Sequence, residues 1–334
     1  MNNSKHMNTE IIAEIAQGYE GKLWLAELLV QGAIVSGADS VKLQLVYADE
    51  LCVKSYPYYD LFKSLEMPLE QWEVLVSTAH ESGINIYFDV YGMDSLGVAK
   101  KLGCDGVKIS TTDFYNTALI EHSFQLFDRV FISTGGIPAD DLDDLVNICP
   151  NNISLTLLHG FQAEPTETGD NNLARISTLR ARYSHVEVGF MDHSLGSDDE
   201  AFYLPMIALG QGVTCIEKHI TLDYSLEIED YVSALSVDRF KKFARLIRKY
   251  ECALGSSSMD MSELELEYKR KSGKVIVAAS DIDQGAQLLP ENLAMKRVST
   301  NPSDNCFRQM KQVIGKSASA KIVKDQPIDS GMLS

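Results

Sequence analysis

The chain has 334 residues, 45% of them hydrophobic, enough for one large core or for a large and a small domain. Its formal net charge of −17 and isoelectric point near 4.8 argue against a nucleic-acid partner, whose phosphates call for a basic surface. An anionic substrate stays open, provided that the lysines holding it are gathered locally.

The six cysteines (Cys52, Cys104, Cys149, Cys215, Cys252, Cys306) include no CxxC pair, so neither a disulfide framework nor a zinc knuckle is expected. There is no apolar run of about 18 residues and no signal peptide, so a cytoplasmic chain without membrane contact is expected. Residues 1–7, where Lys5-His6-Met7 brings a second methionine, are read as an appendage outside the fold.

Short apolar runs alternate with amphipathic stretches, as in repeated βα units. Strands are predicted at 11–16, 40–46, 85–90, 106–111, 129–134, 153–160, 185–193 and 214–221. Helices are predicted at 23–36, 69–82, 95–102, 116–122, 139–148, 172–183, 200–209 and 237–250. Eight such units in about 250 residues fit an α/β fold of the (β/α)8 TIM-barrel type, spanning 8–254, better than an open Rossmann sheet. No GxGxxG follows the first strand, which disfavours a dinucleotide site. Gly255-Ser256-Ser257-Ser258 and the charged residues after it read as a linker, 255–272. Short β-like pieces at 274–279 and 293–298 then form a second domain, 273–334, small enough to lean on another surface.

In a TIM barrel, chemistry belongs at the C-terminal strand ends. Those ends carry Glu14 and Gln17, Lys42 and Gln44, Asp89, Lys108 with Thr111 and Asp113, Ser133-Thr134-Gly135-Gly136, His159 with Gln162 and Glu164, Asp192-His193, and Glu217-Lys218-His219. Lys42 and Lys108 sit in otherwise apolar strands, where an unpaired lysine is rarely buried. They are either core lysines paired to Glu14 or Glu217, or ammonium groups that clamp a phosphate or carboxylate. His193 and His219 close neighbouring strands, and two neutral imidazoles there can hold a divalent ion with positions left for water and substrate. The alternative is a structural role for each, held by a backbone carbonyl.

Ala13-Glu14-Ile15, Val41-Lys42-Leu43-Gln44, Val107-Lys108-Ile109-Ser110-Thr111, Ile132-Ser133-Thr134-Gly135-Gly136, Met191-Asp192-His193-Ser194-Leu195-Gly196 and Ile216-Glu217-Lys218-His219-Ile220-Thr221 resemble the sialic acid synthase family in order and spacing. The tail, with Val277-Ala278-Ala279-Ser280-Asp281-Ile282, Gly285, Glu291-Asn292-Leu293 and Met295-Lys296-Arg297, is similar to that family's antifreeze-like (SAF, β-clip) domain. The resemblance implies condensation of phosphoenolpyruvate with an N-acyl amino sugar of the N-acetylmannosamine type. The products would be phosphate and a nine-carbon 2-keto-3-deoxy acid. It implies that His193 and His219 hold Mn2+, or Mg2+ or Co2+ in its place. Lys42, Lys108, Thr111 and Ser133 would grip phosphoenolpyruvate, while Glu14, Gln44, Asp113 and Asp230 would orient the sugar or move protons. Arg297 would reach the sugar in the partner subunit's barrel of a domain-swapped homodimer.

The sequence departs from the family at several of these places. Met191 stands for a usual serine, Phe88-Asp89-Val90 for Ser-Thr-Pro, Gln162-Ala163-Glu164-Pro165 for Asn-x-Tyr-Pro, Ile228-Glu229-Asp230 for Gly-Pro-Asp, and Lys218 for an arginine. A mouth more acidic than usual is expected, with Lys218 offsetting Asp89. Gln162 and Glu164 would then bind an acceptor rich in hydrogen-bond donors or bearing an amino group; alternatively, Asp89 and Glu164 point to solvent. Two other functions compete: a Schiff-base aldolase or lyase using Lys42, Lys108 or Lys218, and a non-catalytic sugar-acid-binding protein.

Overall fold

Eight parallel strands follow one another around a closed sheet: β1 (Glu10–Ala16), β2 (Ser40–Gln44), β3 (Asn85–Val90), β4 (Gly106–Ile109), β5 (Arg129–Ser133), β6 (Ser154–His159), β7 (Glu187–Asp192) and β8 (Cys215–Thr221). Pairing of β1 with β8 completes the (β/α)8 barrel. This computed structural model describes residues 8–298 and 305–334; the appendage expected at 1–7 lies outside the described residues. The chain folds as two compact units, one ending at Gly255 and one of Ser256–Ser334.

The helices around the barrel form where apolar residues recur every three or four positions. Leu23–Ser36 buries Leu25, Ala26, Leu29, Val30 and Ala33, and stops at Gly37, whose φ of 86° is the left-handed conformation that favours glycine. Val237–Glu251 buries Phe240, Phe243, Ala244 and Ile247; truncating Phe243 to alanine would cost about 3–5 kcal/mol. Between β2 and β3 come two short helices that no apolar period announces, Ala48–Leu51 and Tyr59–Leu65.

Strand alternation stacks the barrel interior in layers, because residues two apart share a face. At the N-terminal end, Arg129 donates to Glu187 at 2.6 Å and to Glu10 at 3.2 Å, and the Tyr87 hydroxyl donates to Glu10 at 2.7 Å. The middle is an apolar plug of Ile12, Tyr87, Phe131, Leu158, Met191 and Cys215. Two residues beyond plug members come Glu14, Asp89, Ser133, His193 and Glu217, at the C-terminal mouth. Backbones crowd there: a Cβ on Gly135 would lie 2.2 Å from the Gly160 carbonyl oxygen, and one on Gly160 would lie 2.3 Å from that of Met191.

In the second unit, β9 (Val275–Ala278) pairs antiparallel with β10 (Leu293–Lys296) beside a small core that includes Ile276, Leu288, Val313, Ile322 and Ile328. The stretch expected as a linker is partly helical, Glu263–Ser272. Ser262 starts that helix with a capping box, accepting from the Glu265 N–H at 3.3 Å and donating its own N–H to the Glu265 carboxylate at 2.6 Å. Among the described residues no helix is long and apolar enough to cross a membrane.

Candidate active site

The barrel mouth holds a cavity of about 270 Å³. Its floor is a buried ion network. The Lys42 ammonium pairs with Glu14, lies 2.9 Å from Asp89 and 3.7 Å from Glu217. Lys108 lies 2.7 Å from Glu217 and 3.8 Å from Asp89. Register explains this arrangement: Glu14 is opposite Lys42, and Asp89 opposite Lys108, on adjacent strands. A bulge in β1 between Glu14 and Ala16, with Ala16 at φ 50°, lets Glu14 accept the Ala16 N–H at 2.5 Å.

Burial dominates the charge states. It pushes the Glu14 carboxyl up to about 8 against the pull of Lys42, so Glu14 carries a proton at neutral pH. Burial also lifts Glu217, but Lys108 and Lys42 outweigh it and hold that carboxyl below its ordinary value. Lys42 is likewise desolvated, yet the carboxylates beside it, Asp89 foremost, keep its ammonium well above the usual range.

Above this floor the rings of His193 and His219 meet edge to face, centroids 5.0 Å apart. Burial pulls His193 down to about 4 and His219 well below its usual value, so both are neutral lone-pair donors at pH 7. One nitrogen from each and a Glu164 carboxylate oxygen lie within 4.8 Å of one another. This donor set fits a divalent cation. The orphaned buried atoms agree: His193 Nδ1, His219 Nδ1, Asp89 Oδ1 and Thr111 Oγ1 have no hydrogen-bond partner. Behind the histidines, Lys218 pairs with Asp192 at 3.0 Å and donates to the Ser194 carbonyl at 3.1 Å, while Asp192 accepts from the Ser194 N–H and hydroxyl.

Of the residues singled out in the sequence, Glu14, Gln44, Lys108, Gln162, Glu164, His193, His219 and Asp230 line the cavity. Asp230 accepts the Gln17 N–H at 2.9 Å and is pushed up to about 6, mainly by burial; the Gln17 amide donates to Gln44 at 2.8 Å. Lys42 lies beneath the wall through its pairs with Glu14 and Asp89. Thr111, Asp113 and Ser133 are off the wall. Asp113 accepts from Thr112 at 3.0 Å, and the Ser133 hydroxyl faces the Met191 sulfur at 3.7 Å. Arg297 is exposed, in the second unit. Two expectations are corrected. Lys218 does not offset Asp89, which Lys42 and Lys108 do instead, and Asp89 is buried rather than turned to solvent, whereas Glu164 is exposed and also lines the cavity. Lys218 is also absent from the wall, which removes it as a Schiff-base nucleophile facing the cavity. Gln17, Asp89, Ser110 and Glu217 line the wall as well, and so do Leu51, Phe62, Tyr91 and Thr112, to which no motif or period in the sequence points.

The chain matches the NeuB family over residues 29–259 and the SAF domain over residues 273–334. It is 30% identical to the N,N'-diacetyllegionaminic acid synthase of Legionella pneumophila, covering 88% of this chain and 86% of that protein. To the pseudaminic acid synthase of Campylobacter jejuni it is 28% identical over 93% of each chain. Its fold is that of the N-acetylneuraminic acid synthetase of Leptospira borgpetersenii, with a TM-score of 0.73 and 23% identity over 81% of this chain and 96% of that one.

Proposed function

The chain belongs to the NeuB family, and from that premise we propose that it condenses phosphoenolpyruvate with an N-acyl amino-sugar aldehyde of the N-acetylmannosamine type. The products are a nine-carbon 2-keto-3-deoxy sugar acid and phosphate. One observation carries the reading: two neutral, unpartnered imidazoles converge over a cavity floored by paired lysines.

A divalent cation held by His193 and His219, Mn2+ by expectation, would supply Lewis-acid polarisation of the acceptor carbonyl. Lys108 and Lys42 hold the phosphoenolpyruvate anion and fix its C3 toward the aldehyde carbon. As C3 bonds to that carbon, Glu14 gives its proton to the developing alkoxide. C2 takes up water, and phosphate leaves by C–O cleavage. Gln44, Asp230 and Gln162 orient the sugar, and Asp113 steadies Thr112 on the wall. The SAF domain of a second copy, exchanged within a homodimer, brings Arg297 to the sugar.

The test is product formation from phosphoenolpyruvate and a panel of N-acyl amino sugars, read by mass spectrometry. A product with three carbons more than one of the sugars is expected. Borohydride trapping of a lysine adduct with a keto acid, with no condensation product, would overturn the reading in favour of a Schiff-base enzyme.

A further inference from the structure

We infer that Glu164 is a third protein ligand, completing with His193 and His219 a two-imidazole, one-carboxylate cation site. The inference rests on the metal part of the proposed function and changes the role first expected for Glu164, that of reading the sugar. Three observations support it. A Glu164 carboxylate oxygen lies within 4.8 Å of a ring nitrogen of both histidines, a span that one ion can bridge. The Nδ1 of each histidine is buried without a hydrogen-bond partner in the chain, so neither ring is tied down through that nitrogen.

The third observation is how Glu164 is held. It stands on the loop after β6, and that loop is tied by Thr166, a buried residue. The Thr166 hydroxyl donates to the carbonyls of Phe161 at 2.7 Å and Ala163 at 2.9 Å, closing the loop on itself. The Thr166 N–H donates to the carbonyl of His193 at 2.8 Å, and Ser233 donates to the same carbonyl at 2.9 Å. The backbone that carries Glu164 is therefore anchored directly to one of the two imidazole donors, as a preorganised ligand requires. A carboxylate in the set offsets part of the ion's charge and shifts the preference toward cations that accept oxygen, such as Mn2+. Gln162 is then the polar side chain of this loop left to face the acceptor.

The experiment uses the full chain, stripped with chelator, and titrates it with Mn2+ followed by electron paramagnetic resonance, then with Co2+ followed by visible absorption. Neither phosphoenolpyruvate nor sugar is present. Wild type should bind one ion per chain, and His193→Ala should lose it. Glu164→Gln should weaken Mn2+ at least about tenfold and shift the Co2+ bands, because a neutral amide has taken the place of the carboxylate in the coordination sphere. Unchanged affinity in Glu164→Gln overturns the inference. So does weaker binding with unmoved Co2+ bands, which would make Glu164 a charge acting through space. If wild type binds no ion, the metal part of the proposed function fails with it; if only the Glu164→Gln result fails, the two-histidine site stands.

Discussion

The two ends of the barrel carry charges on some of the same strands, separated by the apolar plug, and they satisfy them differently. At the N-terminal end Arg129 joins Glu10 and Glu187, and among the described residues none of the three has a buried polar atom without a partner. At the mouth, Asp89 Oδ1, Thr111 Oγ1 and both histidine Nδ1 atoms are buried and unpartnered. Size does not separate the ends. The hollow beside Glu10 and Arg129, about 550 Å³, is larger than the 270 Å³ cavity at the mouth. The difference lies in unmet hydrogen-bonding capacity, which a structural ion cluster spends on itself and a binding site keeps for its ligand.

The sharpest way to break this comparison is to remove one cation from each end. Lys108→Met leaves Glu217 and Asp89 buried with a single ammonium between them, and denaturant titration should show a loss of about 3–5 kcal/mol. Arg129→Met acts on a cluster partly open to solvent, so a loss of only about 1–2 kcal/mol is expected, with turnover per folded molecule unchanged. Equal losses at the two ends would erase the distinction. Next in size is His219→Ala, which should lower turnover at least about a hundredfold while circular dichroism and melting temperature stay near wild type.

A smaller effect is expected from pH. Burial lifts Glu14 to about 8, Glu164 to about 7 and Asp230 to about 6, so the folded chain keeps protons that the unfolded chain has released. That contribution to stability is complete below the ordinary carboxyl range and is lost as pH rises through these values. His193, lowered by burial from 6.5 to about 4, works in the opposite sense, but only below its ordinary value. Metal-free protein should therefore lose melting temperature between pH 6.5 and 8, and Glu14→Gln should flatten that slope; an unchanged slope would contradict the protonated state of Glu14. The smallest effect is assigned to Arg297→Ala: a rise of several-fold in the sugar KM, with the phosphoenolpyruvate KM and metal content unmoved.

The barrel is legible because its strands are short apolar runs and its helices repeat every three or four residues, signals that local sequence carries. His193, His219, Glu14 and Lys108 are legible because polar residues interrupt those runs near their ends. Lys218 is not at the mouth where its neighbours suggest it, and alternation alone explains why. Glu217 and His219 both line the cavity, so the residue between them faces the other way, toward Asp192. The wall residues Leu51 and Phe62 come from the helices between β2 and β3, a stretch without a regular apolar period. Glu164 reaches the histidines through a loop shaped by the Thr166 hydrogen bonds, and no periodicity reports such a path. The helix Glu263–Ser272 escapes a reading by pattern because it buries no residue and shows no apolar stripe; only the Ser262 and Glu265 capping pair marks it in sequence.

Phosphate release from phosphoenolpyruvate by chelator-stripped protein tests the proposed chemistry most directly, measured across the panel of amino-sugar aldehydes with and without added Mn2+. Release that requires both the ion and one of the sugars is the predicted result. Release that proceeds without the ion, or no release with any sugar once Mn2+ is restored, would contradict it.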